Sequence, residues 1–214
     1  MSEETLMSKL RIALTKGRLE NKTVELFEKM GLDCSAIKNK GRSLILHIPE
    51  PDIDVVLAKA ADVITYVESG VCDMGVVGKD TIQECGSSFY EVLDLGFGRC
   101  RFALAVRAGS DFYGGYGTKC IATKYPKVAR SYFESKGMDI DVVKIEGSVE
   151  LAPLLGLADG IVDIVETGRT LKENGLEIAE YVSDISARLI VNVASLKLKK
   201  NDIENFIGRI ERCL

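Results

Sequence analysis

A single histidine, His47, stands in the whole sequence. One imidazole cannot build a multi-histidine metal site, and it leaves Ser-His or Cys-His nucleophilic catalysis little to work with. His47 lies in the strand-like run Leu44-Ile45-Leu46-His47-Ile48, where a structural role is the expectation. The chemistry must therefore rest on Lys, Arg, Asp, Glu and backbone amides. An excess of positive charge is missing as well. Twenty-eight Lys and Arg face 32 Asp and Glu, a net charge of −4, so nothing advertises a nucleic-acid surface. Cations for an anionic ligand have to be gathered locally. No apolar run approaches the ~20 residues of a membrane span. The acidic start, Met1-Ser2-Glu3-Glu4-Thr5, has no leader-like apolar region, and a cytoplasmic protein without membrane contact is expected. The six cysteines contain no C-x-x-C pair and read as reduced thiols. Two glycine patterns fall short of nucleotide fingerprints. Gly75-x-x-Gly78-Lys79-Asp80 has too short a spacing and no Ser or Thr after the lysine, and Gly96-Phe97-Gly98 lacks a third glycine and a following helix.

What remains is an ordinary globular composition, 28% charged and 46% hydrophobic over 214 residues, enough for one large domain or two small ones. The most informative stretch runs from Ile161 to Thr170. Ile161 to Val165 reads as a buried strand with Asp163 near its end. Glu166, Thr167, Gly168, Arg169 and Thr170 follow, then a helical segment stopped by Gly175. A strand that empties into Thr-Gly-x-Thr at a helix start suits a phosphate, because glycine admits close approach, amides point outward and hydroxyls add donors. The same residues also fit a plain strand-to-helix turn with Thr170 as N-cap.

Along the rest of the chain, strands and helices alternate. Leu10–Leu14 reads as a strand, Thr15-Lys16-Gly17-Arg18 as a cationic loop, and Asn21–Met30 as a helix closed by Gly31. Lys16 and Arg18 form a second candidate anion half-site, and Arg42 precedes a further strand. Cys120–Thr123, Pro126–Lys136 and Ile140–Ile145 make a β-α-β unit. Ser148 reads as the cap of a short helix Val149–Leu155, Arg188–Leu196 as a final strand and Asn201–Cys213 as a closing amphipathic helix. The alternation predicts an α/β fold with largely parallel sheets. The middle of the chain is self-contained in β-α units, and the last strand and helix can return to the first half. This organisation predicts two lobes with a cleft, Lys16 and Arg18 on one and Thr167–Thr170 on the other.

These blocks, in this order, resemble the ATP phosphoribosyltransferase family in its short form. The resemblance is carried by Leu14-Thr15-Lys16-Gly17-Arg18, Asp62-Val63-x-Thr65-Tyr66-Val67-Glu68-x-Gly70, Gly78-Lys79-Asp80, Ala122-Thr123-Lys124-Tyr125 and Gly147-Ser148-x-Glu150-Leu151-Ala152-Pro153. Its most specific part runs from Gly156-Leu157-x-Asp159 through Asp163, Thr167-Gly168-x-Thr170-Leu171 to Asn174-Gly175-Leu176, and it closes on Arg188-Leu189-Ile190-Val191-Asn192. Two positions depart from the family pattern, Lys59 where Arg is usual and Ile64 where Pro is usual. The resemblance implies a fold of two α/β lobes like periplasmic binding proteins of type II, with the active site in the interlobe cleft. Residues 1–95 with 182–214 would form one lobe and 96–181 the other. It implies transfer of phosphoribosyl from phosphoribosyl pyrophosphate to N1 of ATP, the first step of histidine biosynthesis. A histidyl-tRNA-synthetase-like regulatory subunit is implied as partner in a hetero-oligomer, with Mg²⁺ on the substrate phosphates. Thr167, Gly168, Arg169 and Thr170 would hold the 5-phosphate, and Asp163 and Glu166 would hold ribose hydroxyls or Mg²⁺-bound water. Lys16, Arg18 and Arg42 would neutralise pyrophosphate, while Asp62, Thr65 and Tyr66 would face adenine or, for Tyr66, the core. Two rivals share parts of this pattern. Orotate and purine-salvage transferases use the same loop logic but usually carry an acidic pair directly before it, and Asp163 has no adjacent acid. A two-lobed binding module would need the loop but not the three cations.

Overall fold

Leu10, Ile12 and Leu14 are fully buried on one face of the first strand, while Ala13 is buried on the other. A strand covered on both faces reads as a continuous apolar run, and such strands sit in the middle of α/β sheets. The computed structural model describes residues 9–86 and 88–214; the Met1–Thr5 stretch, read above for a leader, lies outside them. By its contacts the chain divides into two compact units. One ends its first stretch at Gly98 and resumes at Ser186–Leu214, and the other is Arg99–Ile185.

The first unit contains β1 (Leu10–Thr15), α1 (Arg18–Lys29), α2 (Ser35–Lys38), β2 (Ile45–Ile48), β3 (Ile53–Ala58), α3 (Ala60–Glu68), β4 (Met74–Gly78), α4 (Lys79–Cys85) and β5 (Phe89–Asp94). The second contains β6 (Cys100–Arg107), β7 (Lys119–Thr123), α5 (Pro126–Ser135), β8 (Ile140–Lys144), α6 (Leu151–Leu154), β9 (Gly160–Val165), α7 (Arg169–Glu173) and β10 (Leu176–Ile185). The chain then returns to the first unit with β11 (Ala187–Asn192), α8 (Val193–Leu198) and α9 (Lys200–Glu211).

Sheet order in the first unit is β2-β3-β1-β4-β11-β5. One face packs on α1 and α9, whose Phe27 and Phe206 rings meet edge to face at 5.7 Å. The other face is covered by Val63, Ile64 and Val67 of α3, the i, i+1, i+4 spacing of a helix stripe. In the second unit the order is β10-β6-β9-β7-β8. Among the described residues β1 pairs in parallel with β3 and β4, and β7 with β8 and β9, while the remaining ladders are antiparallel. The expectation of largely parallel sheets is thus corrected to mixed sheets. Residues 49–52 alone join β2 to β3, too few for a crossover, so that pair is forced into a hairpin.

Four local expectations are also corrected. Thr15 belongs to β1 and Arg18 opens α1, so the loop between them is only Lys16-Gly17. The short helix covers Leu151–Leu154 rather than Val149–Leu155, and Ser148 does not cap it but holds φ at 49°. Gly168, not Thr170, occupies the N-cap position of α7. The final strand stops at Asn192, whose side chain accepts the Ser195 amide at 2.8 Å and so starts α8 inside the run read as strand. The same buried amide donates to Val67 O at 2.7 Å, fastening α3 to the sheet. Asn192→Ala removes the cap and leaves the Val67 carbonyl short of a partner. It is expected to cost about 2–3 kcal/mol of stability, measurable as a lower urea midpoint at unchanged slope.

Candidate active site

In the second unit the parallel strands β7, β8 and β9 send their carboxyl ends to one side of the sheet, where ligands gather in α/β folds. β9 leaves the sheet at Val165 and passes through Glu166 and Thr167, both exposed, to Gly168. Gly168 has φ 72° and ψ 4°, the left-handed region that glycine enters without a Cβ penalty. That reversal turns the chain directly into α7. The Arg169 amide lies 3.4 Å from Thr167 Oγ1, and the first helical hydrogen bond runs from Lys172 N to Gly168 O at 3.1 Å. The amides of Thr170 and Leu171 precede that bond, and Thr170 is exposed beside them. The loop therefore offers hydroxyls and early helical amides to an anion. Arg169, by contrast, turns back along its own helix and pairs with Glu173 at 2.7 Å.

Asp163 stands on β9 two residues before the strand ends, laterally across from Ala103 of β6. It is half-buried on the face covered by Val149 and Ala152. Burial pushes its carboxyl up to about 6; the Ile164 amide pulls the other way, Glu150 adds to the rise and Lys124 opposes it. Between the ordinary carboxylate range and pH 6 the folded chain holds a proton that the unfolded chain releases. Stability therefore falls as pH rises through that window and stays lower above it. Asp163→Asn is expected to be more stable than the parent near pH 8 by on the order of 2 kcal/mol. The difference should close below about pH 4, where both side chains are neutral. Urea unfolding of both chains at the two pH values measures it.

The first unit holds the other candidates. Lys16 is anchored by its amide, which donates to Ala58 O at 2.9 Å and seats it at the carboxyl ends of β1 and β3. Gly17 turns the chain at φ 94°, and Arg18 is the first residue of α1. Glu20, buried in the first turn, accepts the Gly17 amide at 3.3 Å and forms an ion pair with Lys40. That pair ties residues 39–42 to the start of α1, and the Ser43 amide closes the turn on Lys40 O at 2.9 Å. Arg42 sits in this turn. β2 runs antiparallel to β3, and the Leu57 amide meets Leu44 O at 2.8 Å. Arg42 thus precedes β2 on the side where β3 ends. Lys16, Arg18 and Arg42, all exposed, share one end of the first unit's sheet.

The adenine candidates are less uniform. Asp62 lies exposed in the first turn of α3, which opens where β3 ends. Thr65 is exposed and its hydroxyl lies 3.3 Å from Ala61 O of its own helix. Tyr66 is half-buried against the cluster around Val63 and Val67. Of the two departures from the family pattern, Lys59 occupies the N-cap position of α3, and Ile64 is buried at 2% exposure as part of the core. His47 is exposed on β2, with Nδ1 3.2 Å from Asp54 Oδ1.

Two features had no role in the sequence reading. Arg188 of β11 reaches Glu91 at 3.3 Å and Asp94 at 3.1 Å, with Lys79 also on Glu91 and the Ser186 hydroxyl on Asp94 at 2.8 Å. Thr123 is fully buried at the end of β7, donates to Val162 O at 2.6 Å and accepts the Tyr125 amide at 2.9 Å. Its only sequence signal is membership of the Ala-Thr-Lys-Tyr block. Among the described residues no three His, Cys, Asp or Glu converge as a metal cage, and no helix is long and apolar enough to cross a membrane.

Comparison with known proteins bears on both units. A family model described as HisG: ATP phosphoribosyltransferase matches residues 59–212. A curated ATP phosphoribosyltransferase of Clostridium kluyveri is 62% identical over 203 residues, covering 95% of this chain and 93% of the relative. A chain of the solved ATP phosphoribosyl transferase (HisG:HisZ) complex from Thermotoga maritima is 35% identical with a TM-score of 0.81, over 95% of this chain and 97% of that one. The periplasmic aliphatic sulphonate binding protein SsuA from Escherichia coli shares 12% identity but a TM-score of 0.59, over 96% of this chain and 72% of that one. That last likeness concerns fold alone, and it is the two-lobed α/β class expected from the sequence.

Proposed function

The chain belongs to the ATP phosphoribosyltransferase family of histidine biosynthesis, and from that premise we propose how its residues divide the work. The reaction forms a bond between N1 of the ATP adenine and C1 of phosphoribosyl pyrophosphate while the bond from C1 to the pyrophosphate oxygen breaks. Adenine N1 brings its own lone pair, so no serine, cysteine or histidine nucleophile is required. Positive charge grows on the ribosyl ring and negative charge on the departing pyrophosphate. Fixed cations at the leaving group are then the largest catalytic lever.

In this reading the two units receive different substrate groups. The unit with β9 and α7 takes the ribosyl 5-phosphate at Thr167, Gly168, Arg169 and Thr170, with Asp163 and Glu166 toward the ribose hydroxyls. The other unit meets pyrophosphate with Lys16, Arg18 and Arg42, and adenine with Asp62, Thr65 and Tyr66. The observation that carries the reading is the left-handed Gly168 turn at the carboxyl end of β9. It brings two threonine hydroxyls and early helical amides together where a phosphate is held. Mg²⁺ fits as an ion carried on the pyrophosphate oxygens, because Mg²⁺ keeps most of its waters and needs at most one or two carboxylates. Glu166, exposed at the start of the loop, would hold its water shell. When bound, the ion would supply charge neutralisation at the leaving group. The Thermotoga maritima relative was solved in a HisG:HisZ complex, which supports a hetero-oligomer here with a histidyl-tRNA-synthetase-like regulatory subunit. The substrates ATP and phosphoribosyl pyrophosphate are metabolites of the cytoplasm, which supports a reaction there.

The test is pyrophosphate release by the purified chain with Mg²⁺, ATP and phosphoribosyl pyrophosphate, each nucleotide being left out in turn, with and without the regulatory subunit. Release that needs both nucleotides and yields an adenine-modified product is expected. Silence in the presence of the regulatory subunit would overturn the reading.

A further inference from the structure

The loop proposed for the 5-phosphate is short of positive charge. Its own cation, Arg169, pairs with Glu173 at 2.7 Å. Arg101, the second residue of β6, stands opposite Val165, but its guanidinium lies over the Tyr181 ring at 4.0 Å and faces Asp184 at 4.0 Å. A phosphate dianion held by neutral donors alone would be poorly compensated, since charge-assisted hydrogen bonds are roughly twice as strong as neutral ones.

One cation at this end of the sheet is uncommitted. β7 and β9 run parallel with Ala122 beside Ile161. Two residues further along each chain, Lys124 comes level with Asp163, on the side from which the loop departs. Thr123 fixes the backbone on both sides of this position through its bonds to Val162 O and Tyr125 N. Tyr125 is locked in turn by its edge-to-face contact with Phe102 at 4.8 Å. Lys124 therefore leaves a rigid strand end with its side chain exposed. No ion pair or hydrogen bond engages its ammonium among the described residues, and it lies 6.0 Å from the Tyr125 ring. Its charge acts on Asp163 and on Glu146, and Glu146 is already held by Lys144 at 2.9 Å.

We propose that Lys124 is a further substrate-binding residue, supplying the positive charge for the ribosyl 5-phosphate at the Thr167–Thr170 loop. The proposal rests on the phosphate reading of that loop. A charge on the 5-phosphate acts alike in the ground and transition states, so it governs affinity and leaves turnover alone.

Lys124→Met and Lys124→Arg are to be made in the full chain and assayed with the regulatory subunit. The readouts are kcat, KM for each substrate, and calorimetric affinity for ribose 5-phosphate. Lys124→Met should raise KM for phosphoribosyl pyrophosphate about 10- to 100-fold. Affinity for ribose 5-phosphate should fall by a similar factor, while kcat and KM for ATP stay near the parent. Lys124→Arg should restore most of the affinity, which a packing defect would not allow. An unchanged KM in Lys124→Met overturns the proposal, and so does a raised KM with unaltered ribose 5-phosphate affinity, which would move the lysine to pyrophosphate. Failure of the parent itself to bind phosphoribosyl pyrophosphate would instead overturn the functional reading beneath it.

Discussion

Gly168→Val is expected to abolish phosphoribosyl pyrophosphate binding while the chain stays folded. The effect is conformational rather than steric. A Cβ at Gly168 would meet Ile178 Cδ1 at 3.7 Å and Val165 Cγ1 at 3.8 Å, ordinary contact distances. The backbone, however, sits at φ 72°, where an L-residue costs roughly 1–2 kcal/mol and a β-branched one is a genuine outlier. Valine relieves that strain by rotating the peptide out of the left-handed region, which swings the Thr170 and Leu171 amides away from the site between strand and helix. A displacement of about 1 Å in a positioning group can cost on the order of 100-fold, and this turn positions several groups at once. The larger core cluster of the unit, built on Phe102, Leu104, Ile121, Phe133 and Val162, contains neither of the side chains that a Cβ at Gly168 would meet. Circular dichroism and the unfolding midpoint should therefore move little. Gly168→Asn is the matching control, since asparagine visits the left-handed region at lower cost, and it should keep more affinity than valine. Retained affinity in Gly168→Val would show that the loop does not hold the phosphate.

That turn is legible in the sequence because glycine between two threonines after a β-rich run is a local signal. The strands were legible for the same reason: Ile53–Ala58 and Ile161–Val165 are short apolar runs bounded by turn residues. What escaped depended on competition between local signals. Val193-Ala194-Ser195-Leu196 continues the apolar run of β11 and looks like more strand, and only the Asn192 cap, bonded to Ser195 and Val67, makes it helix. The helix α1 starts three residues earlier than its apolar pattern suggests, because the signal there is a single bond from the Gly17 amide to the Glu20 carboxylate and not a serine or threonine cap. Ser148 has the composition of a cap but adopts positive φ, a choice made by the loop around it. Antiparallel return of β11 beside β4 links residues more than a hundred positions apart in sequence, and no periodicity reports such pairing. The same limit hid Lys124, whose place beside Asp163 comes from strand register, whereas Lys16 and Arg18 were visible because they flank a glycine.

Arg18→Ala and Arg42→Ala are each expected to lower kcat about 100- to 1000-fold, with KM for phosphoribosyl pyrophosphate changing far less. Removing one preorganised charge from a developing anion costs on the order of 3 kcal/mol in barrier. The pyrophosphate carries more negative charge as its bond to C1 breaks than it does when bound intact. A cation placed against it is therefore worth most in the transition state, which is the signature of a kcat effect. Structural damage is a poor alternative explanation for either variant. Both side chains are exposed, and the turns that present them are held by other groups. Lys16 N is bonded to Ala58 O, the Gly17 amide to Glu20, and Lys40 to Glu20. Arg18 also stands at the first position of α1, where alanine is a good helix former. Lysine in place of either arginine keeps the charge but loses the planar fork that binds two oxygens at once, so Arg18→Lys and Arg42→Lys should recover only part of the lost turnover. A KM effect of the same size with normal kcat would make the arginines ground-state binders. Near-parent turnover in both alanine variants would take them out of the reaction, leaving Lys16 as the cation to test at the leaving group.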